Sequence, residues 1–227
     1  MLKNKKVIIG LTFSLHLLGI LVAFFKTKNN LPFDLSFHLL RFFTWWSVHS
    51  SILAILATFI LAREDKKKTS SWLSQFIPFL SVIFNLTTFL FCLFHLFFGA
   101  LKWQDSLFLN LNSITWHFIA PLLTIYCFYS WVKIDILRKK LARSVLCSFI
   151  WPSFYFIYVY SLSFLNSGSN KLSLYLKKYP YLVFQFMAKN PVVFFAIWLP
   201  VALLTILILF ALIVWTKIIF EKKVKIP

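Results

Sequence analysis

Acidic residues are scarce in this sequence: six Asp and Glu stand against 24 Lys and Arg, and only 13% of the residues are charged. Hydrophobic residues make up 60% of the chain, whereas soluble proteins average roughly 45–50% apolar and about 25% charged residues. Charge is absent from six long runs, at residues 7–25, 42–62, 76–101, 113–132, 144–165 and 192–216. Each run approaches the length of about 20 residues that a bilayer-spanning helix needs. The sequence predicts an all-α, polytopic membrane protein, in which residues 1–227 form a single domain of six transmembrane helices.

A signal-peptide cleavage site is missing from the N-terminal region. Lys3, Lys5 and Lys6 precede an apolar stretch, as they would in a secretory signal peptide. A signal h-region, however, is only about 7–15 residues long and is followed by small residues such as A-x-A. The uncharged residues 7–25 run directly into Lys26 without such a site. The first run is therefore predicted to be a retained span.

Cysteine is rare, and its positions exclude two kinds of site. Cys92, Cys127 and Cys147 all fall inside predicted spans, and none belongs to a CxxC pair. The sequence thus predicts neither a disulfide framework nor a metal site, and no cofactor. We expect the three thiols to be small apolar fillers.

The net charge of +18 is distributed as in a membrane protein rather than a nucleic-acid-binding protein. Lys and Arg lie between the spans, and a cytoplasmic N-terminus places 16 of them inside and 8 outside. Because cytoplasmic loops carry the excess of Lys and Arg, both termini are predicted to be cytoplasmic. The inner basic loops are expected to meet anionic lipid headgroups, with no nucleic-acid partner.

Three of the predicted spans contain a stripe of polar side chains on one helical face. The stripes are Thr44, Ser47, Ser51 and Thr58 in the second span, Ser81, Asn85, Thr88, Cys92 and His95 in the third, and Ser113, His117 and Thr124 in the fourth. Lipid would reject such faces, so they should face one another inside the bundle. Hydrogen bonding between packed helices is one interpretation of these residues, and a functional site is the other.

Histidine favours the functional interpretation, because ionisable groups inside membranes are costly and usually functional. With this topology and a rise of 1.5 Å per residue, Thr44 lies about 3–5 Å below the outer surface, His117 about 6 Å and His95 about 9 Å. These three residues can share one layer. His16 lies in mid-span and His49 lies off the Thr44 stripe, so we expect both to pack or to hydrogen-bond between helices.

A hydroxyl beside an imidazole can be a nucleophile with its general base. Threonine cannot ionise unaided, so Thr44 would need His117 within about 2.6–3.2 Å. A shallow intramembrane position suits an ester whose acyl chains stay in lipid while water arrives from outside. Ser47 or Asn112 would bind the oxyanion, and His95 is a further candidate for support.

Four sequence elements occur in an order that resembles a known family: RFFTWWS (41–47), WHFIAP (116–121), WPSFYFIY (151–158) and YPY (179–181). Together they resemble the androgen-induced protein family of six-span membrane proteins, from about residue 35 to 185. The family includes animal lipid hydrolases and many bacterial relatives, so the resemblance implies hydrolysis of fatty-acid esters, and we expect a place in a bacterial cell membrane. It implies a threonine nucleophile and a histidine, roles that fall on Thr44 and His117.

The chain departs from the family pattern at two positions. Val48 stands where relatives often have Asn, and Cys127 stands where many bacterial relatives have an acidic residue. No intramembrane carboxylate is therefore available to orient His117.

Two other functions are compatible with the same residues. A non-catalytic carrier, channel or scaffold would use the stripes for packing or for a path, although no Asp, Glu, Lys or Arg lies deep within a predicted span. Haem ligation by His95 and His117 is the second, because haem iron takes axial histidines. The substrate and the oligomeric state do not follow from the sequence.

Overall fold

The computed structural model describes most of the chain, and the described parts are helices and their connections. These parts are residues 2–28, 43, 46–64, 71–97, 107–164, 192, 196–197 and 199–224. Within these ranges there is no β-strand. The predicted all-α class is therefore confirmed for the part of the chain that the structure describes.

The main helices follow the predicted spans along the chain. They are α1 (Leu2–Lys28), α2 (Trp46–Glu64), α3 (Trp72–Phe97), α4 (Leu107–Ile114), α5 (Ala120–Trp131), α6 (Asp135–Lys139), α7 (Leu141–Phe164) and α8 (Leu199–Val224). A five-residue π-helical segment, Thr115–Ile119, joins α4 to α5.

Five stretches of the described chain are long and apolar enough to cross a membrane. They are Asn4–Phe25, Trp46–Arg63, Trp72–Leu93, Leu111–Trp131 and Leu199–Lys223. Such helices identify an integral membrane protein, because a helix satisfies all its backbone polar groups within lipid. The remaining predicted span, 144–165, coincides with the 24-residue helix α7, which does not belong to this set of five. The number of six spans stays a prediction.

One helix end differs from the predicted boundary. The last predicted span ends at residue 216, whereas α8 continues to Val224 and takes in Lys217. This lysine belongs to a helix rather than to a basic tail.

The chain divides into two compact units, one formed by Met1–Lys140 with Val214–Pro227 and the other by Leu141–Ile213. In the first unit, α2 and α5 each pack against both α1 and α3. Phe79, Phe84 and Phe128 are almost completely buried there, and Trp46 stacks on Phe84 with ring centroids 4.3 Å apart. Large apolar side chains cover the outer surfaces of these helices, as contact with lipid requires.

The second unit contains α7 and the N-terminal part of α8. Leu146, Phe154 and Ile157 on α7 are more than half exposed, and Pro152 lies inside that helix. An apolar, exposed helix surface of this kind suits contact with acyl chains rather than with water.

Candidate functional site

Two of the five predicted site residues lie outside what the structure describes. Thr44 is outside the described residues, as is the side chain of His95, whose backbone belongs to α3. Ser47, Asn112 and His117 are described. The pairing of Thr44 with His117 therefore stays a prediction, and the surroundings of the other three can be examined.

His117 occupies the middle of the π-helical segment, and the sequence explains why the helix widens there. Pro121 follows four residues later, and a proline ring in an α-helix clashes with the carbonyl four residues before it. That carbonyl belongs to His117. A π-helical turn separates the two groups, and the Ala120 N–H bonds to the Thr115 carbonyl at the end of the segment. Single π-turns inside α-helices are frequent at functional sites.

The hydrogen bond of His117 determines which ring nitrogen bears the proton. Nδ1 lies 2.9 Å from the carbonyl oxygen of Ser113, one turn earlier. A carbonyl can only accept, so Nδ1 is the N–H donor and Nε2 carries the lone pair. The ring is half-buried rather than enclosed. In this tautomer the imidazole can accept a proton at Nε2.

The start of α2 packs against the residue that precedes His117. Val48, Ala23 and Trp116 form one buried apolar cluster, so three helical elements meet at this level. Val48 comes four residues after Thr44 in the chain, and Trp116 is the immediate neighbour of His117. The contact brings the start of α2 against the π-helical segment that contains His117.

Ser47 has the surroundings expected of a hydrogen-bond donor to a ligand. Its side chain is 3% exposed, and its hydroxyl has no hydrogen-bond partner among the described residues. A buried polar group without a partner costs about 1–3 kcal/mol, so such groups need an explanation. Asn112, the other predicted oxyanion donor, lies half-buried on α4.

His49 makes a contact that the sequence analysis did not anticipate. Its Nε2 lies 2.7 Å from the carbonyl oxygen of Phe43, to which it donates a hydrogen bond. Phe43 immediately precedes Thr44 in the chain. This bond joins the ring of His49 to the backbone of Phe43, six residues earlier, whereas packing or hydrogen bonding between helices was expected of His49.

The closest hydroxyl–imidazole contacts in the described chain belong to His16 rather than to His117. His16 is completely buried, with Nδ1 3.0 Å from Ser51 Oγ and Nε2 2.9 Å from Thr124 Oγ1. Trp116 donates from Nε1 to Ser51 Oγ at 2.7 Å. We call these four residues the His16 network. It joins α1, α2, the π-helical segment and α5, so the prediction of helix–helix hydrogen bonding for His16 is confirmed.

A second polar contact joins α2 to α3. Asn85 Nδ2 donates to the Ser50 carbonyl at 3.1 Å, and Thr88 Oγ1 lies 3.1 Å from Ser50 Oγ. The polar stripe of the third span therefore faces the second span, as predicted. The sequence analysis missed Ser50, which lies about 100° around the helix from Ser51. The doublet Ser50–Ser51 thus presents one hydroxyl to α3 and the other to α1.

Lys217 is a buried cation that lies just beyond the predicted end of the last span. Its Nζ donates to the Tyr129 carbonyl at 2.7 Å and lies 3.5 Å from a carboxylate oxygen of Glu221. The aromatic rings of Phe128 and Phe220 lie 5.6 and 5.4 Å from Nζ. A cation beside the last carbonyls of α5 interacts favourably with the helix dipole. The contact joins the C-terminal end of α8 to α5, and we interpret it as an interaction that stabilises the fold.

The described residues contain no group of three or more His, Cys, Asp or Glu side chains that could hold a metal ion. Cys92, Cys127 and Cys147 are free thiols, with Cys127 buried beside Thr12. Comparison of the chain with protein-family models, with curated proteins and with solved structures gave no match.

Proposed function

We propose that the protein is an intramembrane hydrolase of lipid esters, with Thr44 as the nucleophile and His117 as its general base. The proposal includes kinship with the androgen-induced protein family, whose motifs the chain resembles. It also includes six spans, cytoplasmic termini and a place in a bacterial cell membrane. The substrate would be an ester of fatty-acid type, held with its acyl chains among membrane lipids.

The main support is the packing of Val48 on Trp116. Thr44 comes four residues before Val48 in the chain, and Trp116 and His117 are adjacent residues. The π-helical turn and the Nδ1–H tautomer of His117 add to this support, because they leave Nε2 as the proton acceptor. These features suit a histidine that acts on a hydroxyl near the start of α2.

The chemistry requires three steps in one place. Nε2 of His117 removes the proton of the Thr44 hydroxyl as Oγ1 attacks the ester carbonyl. The hydroxyl of Ser47 donates to the developing oxyanion, which would give this buried group a partner that it does not have among the described residues. His117 then returns the proton to the departing alkoxide, and water, activated by the same Nε2, releases the fatty acid from Thr44.

The test is hydrolysis of a branched fatty-acid ester by purified protein in detergent or liposomes. Turnover should fall by about 100-fold or more in Thr44→Ala and in His117→Ala, the range typical of a lost general base. Thr87→Val is the matched control, because the Thr87 hydroxyl bonds to the Ile83 carbonyl of its own helix. Undiminished turnover in either active-site variant would refute these roles.

The second candidate is a non-catalytic carrier, channel or scaffold. The contacts of Ser50 with Asn85 and Thr88 favour it, because they use polar stripe residues for helix packing alone. Ligand-dependent flux in liposomes that persists in Thr44→Ala would support this candidate over the hydrolase. Loss of flux in Asn85→Leu, with a folded protein, would connect the stripe to that function.

A further inference from the structure

We propose that His16 is a positioning residue, which holds the π-helical turn of His117 through Ser51 and Trp116. The inference rests on the proposed function only where His117 is regarded as the catalytic base. The mechanical part, that the His16 network fixes the orientation of His117, stands on the contacts of the described residues.

The protons of the network have one arrangement that gives every donor its own acceptor. Trp116 can only donate, so Ser51 Oγ accepts from it and donates its own proton to His16 Nδ1. His16 Nε2–H then donates to Thr124, whose hydroxyl donates to the Ala120 carbonyl at 3.0 Å. Each group in this chain donates to the next, from Trp116 to Ala120. His16 accepts at Nδ1 and donates at Nε2, so its ring carries one proton and is neutral. Removing one member leaves a buried neighbour unsatisfied.

The π-helical turn is necessary for this closure. Trp116 and Thr124 are eight residues apart, so in a straight α-helix they would point about 80° apart. A π-turn inserts roughly one extra residue, which turns the following residues back by about 100° and leaves the two within about 20°. Both side chains then reach the side of α1 and α2, where Ser51 and His16 are themselves bonded. The network and the π-turn therefore stabilise each other.

Gly19 provides the space that Trp116 needs. A β-carbon at Gly19 would lie 2.2 Å from Cδ1 of the Trp116 indole, so any larger residue would push the indole away. The indole lies against the backbone of α1, one turn from His16, and is 4% exposed. Trp116 is thus held by a steric contact on one side and by its bond to Ser51 on the other.

His117 is affected because it is the next residue in the same turn. Its Nδ1–H bond to the Ser113 carbonyl depends on the local helix geometry, which Trp116 fixes. Loss of the Ser51–Trp116 bond would release the indole, so the backbone of the turn would no longer be held in one geometry beside the Pro121 ring. The ring of His117 would then lose its single orientation and its single tautomer.

The test is the tautomer of His117, measured by NMR of protein labelled with ¹⁵N-histidine in micelles. The five histidines are distinguished by the resonance that disappears in His117→Gln. We expect only the Nδ1–H form in the wild type, and a second, Nε2–H population in Ser51→Ala and in His16→Leu. His16→Asn should restore the wild-type spectrum, because the Asn Oδ1 can accept from Ser51 where Nδ1 did. Thr87→Val should not change it.

An unchanged Nδ1–H form in folded Ser51→Ala and His16→Leu would overturn the inference. If these variants do not fold, Gly19→Ala tests it by displacing the indole without removing a polar atom, and an unchanged tautomer would then refute it. Ester hydrolysis measured on the same samples separates the two proposals. An inactive wild type with a responsive tautomer refutes the hydrolase alone, whereas an active wild type with an unresponsive tautomer refutes the positioning role alone.

Discussion

His16 and His117 both lie inside candidate membrane spans, and both have a hydroxyl or a carbonyl within hydrogen-bonding distance of Nδ1. They differ in burial and in the elements that their Nδ1 bonds reach. His16 is completely buried and bonds through both ring nitrogens to side chains of two other helices. His117 is half-buried and bonds through Nδ1 to its own helix. The bonds of His16 join helices, whereas the Nδ1 bond of His117 stays within its own helical segment.

The difference shows why proximity of Ser and His does not by itself make a catalytic pair. Ser51 Oγ lies 3.0 Å from His16 Nδ1, a distance typical of a nucleophile and its base. The Ser51 side chain, however, is 1% exposed and also accepts from Trp116. The indole and the imidazole together engage the lone pairs and the proton of the Ser51 hydroxyl, so the better-formed pair is the structural one.

The largest expected effect separates catalysis from stability. His117→Gln should reduce ester hydrolysis by about 100- to 10,000-fold, because the proton acceptor is lost. Its thermal stability should fall less than that of His16→Leu, since the ring of His117 is only half-buried and its Nδ1 bond to Ser113 lies within one helical segment. His16→Leu should instead lower the free energy of unfolding by about 1–3 kcal/mol, because Ser51 and Thr124 lose their partner. Equal losses of stability in the two variants would remove the distinction between the two histidines.

The next effect concerns the space beside Trp116. Gly19→Ala should destabilise the protein by about 1–3 kcal/mol through overpacking against the indole. Gly10→Ala is a matched control on the same helix, where a β-carbon meets nothing within 4 Å. It should stabilise α1 by about 0.5–1 kcal/mol, because alanine is the better helix former. Thermal unfolding in detergent measures both, and a shift of the same sign in the two variants would contradict the packing described for Trp116.

A smaller effect is expected at the far end of the network. Thr124→Val removes the acceptor of the His16 Nε2–H, and hydrogen bonds between membrane helices average about 0.6 kcal/mol with a maximum near 1.7 kcal/mol. We expect a loss of stability within that range. Thr87→Val, the same substitution outside the network, should have a smaller effect. A larger loss of stability in Thr87→Val than in Thr124→Val would show that the hydrogen bonds between helices in the His16 network contribute no more than a bond within one helix.

The smallest effect is expected one turn away, where α1 and α5 meet without an imidazole. Cys127 Sγ lies 3.5 Å from Thr12 Oγ1, which itself donates to the Ile8 carbonyl at 2.8 Å. A thiol is a weak donor, so Cys127→Ser should change stability by about 0.5 kcal/mol, the low end for a hydrogen bond. The unfolding temperature of the purified variant measures this. If Cys127→Ser lost as much stability as His16→Leu, the contact between α1 and α5 would owe its stability to general packing rather than to the imidazole.

The sequence predicted the features that depend on composition and period. Long uncharged runs predicted the membrane helices, and the regular spacing of Ser81, Asn85 and Thr88 predicted a buried polar face on α3. It could not predict which polar partners meet, because rotation about each helix axis depends on tertiary packing. The pairing of His16 with Ser51 and Thr124 is therefore a result of the structure. A signal was present nonetheless, since WHFIAP places a proline four residues after His117, the spacing at which a helix must deform.

The end of α8 was mispredicted for a related reason. A span boundary was set at the first lysine after an uncharged run, although a lysine near a helix end can bond to a carbonyl of a neighbouring helix. Lys217 does so with Tyr129. The first charged residue after an apolar run indicates where burial in lipid becomes costly. It does not indicate where the helix ends.

The most direct test of the central claim is covalent labelling of the purified protein with a fluorophosphonate, followed by mass spectrometric identification of the modified residue. We predict modification of Thr44 in the wild type, and loss of that modification in His117→Gln. Modification of Ser51, or modification of Thr44 that persists unchanged in His117→Gln, would contradict the account.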